Sequence, residues 1–314
     1  MRLAITGVGL AAAGIDLEQL KKNVVNRTII QSLPEKTETA ELNNYFSPRK
    51  LRRVDHFTRM TMLAACRAMQ DHADISQDDF KTQLPIPDDM GIIIGSGYGP
   101  SETVFDFLDS IIEHGAECAS PLSFSHSVHN IPAATISLFL NYQCPCTTIC
   151  QTYAPLTTAL NNAACWITEG RSKNILLGLV DEKTPLLEHN TKRMLDKKAS
   201  NTDIPLGEGA CFFMLSDASE SESAKYGSLE FKTIRQNDLA DMCKDSAIFA
   251  PKRTIARLKK INVSAEASLS ADMPTAAAIE LAAAVLYNHE NRPSVCIEQA
   301  GKKFTHICFH NNRR

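Results

Sequence analysis

The sequence predicts an α/β fold with helices packed on a mainly parallel sheet. Three observations carry that expectation. Short β-branched or apolar runs such as Met90–Ile94 and 173–180 are too brief for helices and end in turn residues. Other stretches place apolar residues at helical spacing, as Val54, Phe57, Met60, Leu63, Ala64 and Ala68 do within 50–72. The two kinds alternate through most of the chain, which is the pattern of layered α/β proteins.

In chain order, residues 2–6 read as a short buried strand, with Gly7 and Gly9 as the turn after it. Asp16 caps a helix that runs to Asn26. Residues 27–46 are polar and irregular, and the helix of 50–72 follows. Met90–Ile94 is a strand closed by Gly95-Ser96-Gly97-Tyr98-Gly99-Pro100, a flexible loop whose spacing matches neither a phosphate loop nor a dinucleotide fingerprint. Residues 101–114 form a helix. So do 130–140, with Pro132 in the first turn, where a missing N–H costs nothing. Residues 146–150 are a short strand, 155–168 a helix ending at Gly170, and 173–180 a buried strand. The loop 205–208 leads into a strand at 209–215, and another spans 226–234. The stretch 239–260 gives no clear element. Residues 261–265 read as a strand, 275–287 as an alanine-rich helix, and 295–298 and 305–309 as the last strands.

Composition excludes several classes. The chain has 314 residues, 44% hydrophobic and 22% charged, enough to bury a sizeable core. A formal net charge of -3 sets up no strong field, so no nucleic-acid partner is expected, and the basic group Arg49, Lys50, Arg52 and Arg53 reads as a solvated helix start. The ten cysteines are scattered. Cys144, Cys146 and Cys150 form the only cluster, with no neighbouring histidine to complete a zinc site, so buried thiols in a reducing cytoplasm are expected, and no metal. The apolar N-terminus with Ala11-Ala12-Ala13 could mimic a signal peptide, but Thr6, Gly7 and Gly9 suit a strand and turn. No run of about 20 apolar residues suggests a membrane span.

Six segments, in order, resemble the β-ketoacyl synthases, the condensing enzymes of the thiolase fold. They are Ile5-Thr6-Gly7-Val8-Gly9, the helix around Arg53–Asp71, Gly91–Gly97, Ser125–Ala134, Gly170–Asp181 and Leu206-Gly207-Glu208-Gly209-Ala210. The segment Ser125–Ala134 is similar to the one before the family's nucleophile, especially in the variants associated with aryl polyene pigments. The resemblance runs to about residue 230. It implies a thiolase-like α-β-α-β-α layering with a first half over 1–222, carrying the nucleophile and dimer side, and a truncated second half over 223–314.

Such an enzyme needs a cysteine at a helix N-terminus, two histidines that donate to a developing enolate, and a backbone oxyanion hole. In the family the nucleophile lies seventeen residues before the glycine that ends its helix; counting back from Gly170 reaches Tyr153. Tyrosine has an unperturbed pKa near ~10 and a ring that fills the acyl position. Chain-length-factor relatives place a glutamine there, and a two-residue slip aligns Gln151, so both positions stay open. Ser270–Glu280 resembles the family's glycine-histidine loop and helix; on that register Ala271 replaces the histidine and Glu266 the lysine. No histidine lies between 235 and 265, and the terminal glycine-rich segment reads Gln299-Ala300-Gly301-Lys302-Lys303. A nucleophile and its assisting groups act as a unit, so their joint loss implies no condensation by this chain alone.

The resemblance therefore implies a non-catalytic, chain-length-factor-like subunit. It would pair with an active β-ketoacyl synthase and shape its acyl tunnel, with an acyl carrier protein as a second partner; no cofactor is implied. Phe124, His126, His129, Asn130 and Tyr153 are the interface and tunnel candidates. Phe124 reads equally as a core residue, and His126 and His129 as neighbours on one face of a helix start. Glu208 reads as a structural support. Two alternatives stay open: a divergent enzyme, either an acyltransferase or hydrolase using Cys150 or Ser127 or a ketosynthase using Cys150, and a homodimeric acyl-binding scaffold.

Overall fold

The computed structural model describes residues 1–12, 16–29, 36–83, 85–197, 206–219, 224–267, 271–290 and 292–310. Pro205 and Ser270, which belong to expected loops, lie outside the described residues.

The first half runs β1 (Leu3–Ala12), α1 (Leu17–Val25), α2 (Pro48–Leu51), α3 (His56–Ala73), α4 (Gln77–Gln83), β2 (Met90–Ser96), α5 (Ser101–His114), α6 (Pro121–His126), α7 (Ile131–Leu140), β3 (Cys146–Cys150), α8 (Pro155–Thr168), β4 (Asn174–Asp181), α9 (Pro185–Lys197) and β5 (Gly209–Asp217). The second runs β6 (Ser228–Arg235), α10 (Leu239–Met242), β7 (Ala247–Phe249), α11 (Lys252–Lys259), α12 (Ala276–His289), β8 (Ser294–Ala300) and β9 (Lys303–His310). Asp16 and Asp55 cap α1 and α3 by accepting from the N–H groups of Gln19 and Thr58.

The strands order as β3-β2-β4-β5-β1-β6-β9-β8-β7. The expectation of a mainly parallel sheet is corrected: β2 is parallel to β3 and β4, and β7 to β8, but β5 returns antiparallel to β4 and β1, and β9 antiparallel to β8 and β6. Each half therefore closes with a reversal that pattern alone does not reveal. β1 and β6 share only the pairs Leu3–Leu229 and Ala4–Ser228. On either side of that seam the order repeats: β1, β5, β4, β2, β3 against β6, β9, β8, β7. Among the described residues, the place matching β3 in the second half holds an isolated parallel bridge, Phe249–Glu266.

Helices α8 and α12 occupy the middle layer, in one core with Ile5, Val8, Leu177, Leu179 and Phe213. Ala276 through Asn288 are all buried, as a helix covered on every side requires. The alanines let it fit there. The α3 and α7 layer packs on the other face of the first-half strands with Ile92, Ile94 and Phe212. The second-half strands carry a smaller outer cluster with Leu239 and Leu258.

Gly7 and Gly9 lie inside β1, not in a turn. A Cβ on Gly9 would sit 2.1 Å from the Ala64 carbonyl oxygen and one on Gly7 2.3 Å from that of Ala68, so the glycines let α3 lie directly on the strand. The polar stretch 239–260 holds α10, β7 and α11, and 261–265 leaves α11 as turn and coil rather than a strand. Ala40–Asn44 forms a short 3-10 helix within the stretch expected to be irregular. No helix among the described residues is long and apolar enough to cross a membrane.

Candidate functional site

β3 ends at Cys150 and α8 begins at Pro155, so four residues make the turn between them. The Gln151 N–H donates to the Ser96 carbonyl at 3.0 Å. Its side-chain Nε2 lies 2.8 Å from the carbonyl oxygens of Tyr153 and Ala154 and from the Thr158 hydroxyl. Gln151 therefore ties the turn to the first turn of the helix. Tyr153 points out, 74% exposed. Ala154 occupies the tip with φ 54°, in the left-handed region. Right-handed helical backbone is disfavoured before Pro155. The buried tip position thus carries only a methyl group. Sequence comparison missed Ala154; its signal is an Ala-Pro pair at a strand-to-helix junction.

The helix terminus is already occupied. Glu298, buried on β8, accepts from the N–H groups of Leu156 at 3.2 Å and Thr157 at 2.7 Å and from the Thr157 hydroxyl at 2.5 Å. Burial pushes its carboxyl up to about 7 against the pull of those donors. Its carboxylate satisfies the dipole that would otherwise favour a thiolate there. Sequence reading also missed this residue, since an acid inside an apolar strand carries no motif. The other middle helix is treated alike: Asp181, at the end of β4, accepts from the Thr275 N–H at 3.1 Å, ahead of α12, and from Gly97 and Tyr98 N–H and the Ser96 hydroxyl at 2.9, 2.9 and 3.0 Å.

Arg253 stands before the same turn. Its Nε donates to Asp272 at 2.7 Å and an Nη to the Thr152 carbonyl at 3.3 Å. Pro274 closes on Gly97 so tightly that a Cβ there would lie 2.2 Å from the proline ring. Ala271, buried, precedes this Asp272–Pro274 corner and so lies beside the site. Glu266 is not brought to it. It pairs with Arg27 at 3.5 Å on the far side of β7.

The remaining candidates separate. His126 ends α6 and pairs with Asp55 at 3.1 Å, while His129 lies in the following turn against Gly99, so the two do not share one helix face. Burial lowers the His129 pKa. Asn130 holds the cap position before α7 but makes no side-chain cap. Phe124 is 57% exposed and leans on Phe107 at 5.5 Å, so it is not core. Glu208 accepts from the Thr37 and Lys183 N–H groups at 2.5 and 3.0 Å and from His56 at 2.8 Å. Burial raises its pKa, yet those donors outweigh burial and hold the carboxylate below its usual range.

Cys146 and Cys150 are exposed rather than buried, because β3 is the edge strand. Partial burial pushes the Cys150 thiol up, opposite to what a nucleophile requires. The Ser127 hydroxyl donates to the Phe124 carbonyl at 2.8 Å. Helix α7 packs beside the edge strand β3 and leaves Leu138 76% exposed; on α5 and α6 and in the turn after α6, Ile112 (79%), Leu108, Leu122 and Val128 are also exposed.

Two sheet-bearing halves around a shared pair of middle helices, with the turn into α8 at the centre, define a thiolase-like ketosynthase fold. The model of the beta-ketoacyl synthase N-terminal domain matches residues 31–202, and the chain belongs to that family. Among solved structures, the ishigamide ketosynthase/chain length factor aligns with a TM-score of 0.74 at 15% identity, covering 99% of this chain and 100% of that one. A beta-ketoacyl synthase from Burkholderia phymatum STM815 gives 0.71 at 15%, covering 99% and 100%. The ketosynthase ApeO in complex with its chain length factor ApeC from Xenorhabdus doucetiae gives 0.59 at 15%, covering 98% and 99%. No curated protein matches the chain.

Proposed function

We propose that this chain is a non-catalytic, chain-length-factor-like subunit that pairs with an active β-ketoacyl synthase and shapes its acyl tunnel, in polyketide, aryl polyene or fatty-acid-like biosynthesis. The single observation that carries the reading is the turn into α8. Gln151 is spent on backbone bonds, Tyr153 faces out, Ala154 has no reactive atom, and Glu298 holds the helix N–H groups. Covalent acyl transfer needs a nucleophile with a base or a favourable field beside it, and this turn supplies neither.

The same reading takes residues 1–222 as the dimer-side half and 223–314 as the shortened half, and expects a cytoplasmic protein. An unpaired edge strand flanked by exposed apolar side chains is unstable as a free surface and suits pairing with another chain. Tyr153, Phe124 and Leu138 would then meet the partner, where a bulky aromatic limits how long an acyl chain can grow before it overpacks the tunnel. The solved pairs with chain length factors, and a type II ketosynthase solved with its acyl-carrier protein, support a ketosynthase as first partner and an acyl carrier protein as second.

The test is co-expression with an intact type II ketosynthase. The reading expects a one-to-one complex whose product length shifts when Tyr153 is changed to alanine. Recovery of the chain as a monomer, with the ketosynthase fully active without it, would refute the reading.

A further inference from the structure

A cavity lies away from α8, between the end of α1, the flank of α11 and residues 265–267, with a volume of about 650 Å³. That is within the range of about 300–1,000 Å³ typical of small-molecule sites. Its apolar lining is the buried pair Val24 and Phe249, with half-buried Ile255 from α11 and the more exposed Ile29 after α1. Its rim is cationic. Lys252, Ile255, Ala256 and Lys259 recur at the spacing of one helical face, and all four line the cavity. The opposite flank of α11, with Arg253, serves the α8 turn instead.

The charges do not balance. Arg27 is matched by Glu266 at 3.5 Å and donates to the Tyr287 hydroxyl at 3.2 Å. Neither Lys252 nor Lys259 forms an ion pair with a carboxylate among the described residues. Two cations without a carboxylate partner among the described residues thus line a cavity whose other lining is largely apolar. A purely polar anion would leave the apolar lining unused, and a neutral hydrocarbon would leave the lysines without a partner.

We propose that this cavity binds a single-chain amphiphile with an anionic head, its tail on the Phe249–Ile255 lining and its head between Lys252 and Lys259. The site is separate from the α8 turn, so the proposal does not depend on the chain's pairing with a ketosynthase.

The experiment is calorimetric titration of the full chain with dodecanoate, dodecyl phosphate and dodecyltrimethylammonium, each below its micelle concentration, and with acetate as the head alone. Either anionic amphiphile should bind at least tenfold more tightly than the cationic one, and acetate should not register. The phosphate binding more tightly would assign a phosphorylated lipid, and the carboxylate a free fatty acid. The paired change K252E/K259E should weaken binding at least tenfold while leaving the melting temperature near that of the parent; K252Q/K259Q, which removes charge without reversing it, provides a second variant should the first fold poorly. Equal affinity for the cationic and anionic amphiphiles, no binding of any of them, or unchanged affinity in a folded lysine variant would overturn the proposal.

Discussion

Leu138 offers the most quantitative handle on the proposed interface. It sits on α7, which borders the open edge strand β3, and leaves 76% of its surface in solvent. Leu138→Ala removes three carbon groups at ~0.8 kcal/mol each when buried. Scaled by the exposed share that association would cover, about 1.8 kcal/mol is at stake, or roughly a 20-fold weaker Kd. The folded chain itself should lose almost nothing, because little of Leu138 is buried before association. The assay is a titration of the variant against its ketosynthase, with Met242→Ala as control. Met242 is also exposed, but it lies on α10 in the outer layer of the second half. An unchanged Kd for Leu138→Ala, or an equal loss in the control, would refute the assignment of this face.

Other consequences follow from packing and protonation. Gly9→Ala places a Cβ 2.1 Å from one backbone atom of α3 and 2.3 Å from another, so urea unfolding should show a loss of at least about 3 kcal/mol; Gly170→Ala, at φ 67° with open space around it, should cost only about 1–2 kcal/mol of backbone strain. Glu298 has a folded pKa raised from 4.5 to about 7, so between those values the folded state holds more protons than the unfolded one. Its contribution to stability therefore falls as pH rises from about 4.5 to 7 and is level above, by about 3 kcal/mol. Melting curves of Glu298→Gln should lack that decline, and parallel pH profiles of parent and variant would contradict the assignment.

The segments most legible in the sequence are those where one local rule dominates. β3 and α8 were bounded to the residue, since a β-branched run and an Ala-Pro helix start leave little choice. Gly7 and Gly9 misled because a glycine that admits a helix onto a strand looks the same as one that makes a turn; only the position of α3, more than 50 residues away, distinguishes them. The region of α10, β7 and α11 was opaque for another reason. Its strand has three residues and its helices four and eight, too short for periodicity to register above its many charges. At the site, Tyr153 and Gln151 were found by counting along the chain. Ala154, Glu298 and Arg253 were not, because their roles come from strands and loops that meet only in the folded molecule.

The most direct measurement is the purified chain, alone, incubated with acyl and malonyl thioesters of a carrier protein and followed by intact-protein mass. The account predicts an unmodified chain and no elongated acyl product, with an acyl adduct on the ketosynthase and elongated product appearing once the ketosynthase is added. A covalent acyl adduct on the single chain, or elongation without a companion, would contradict it.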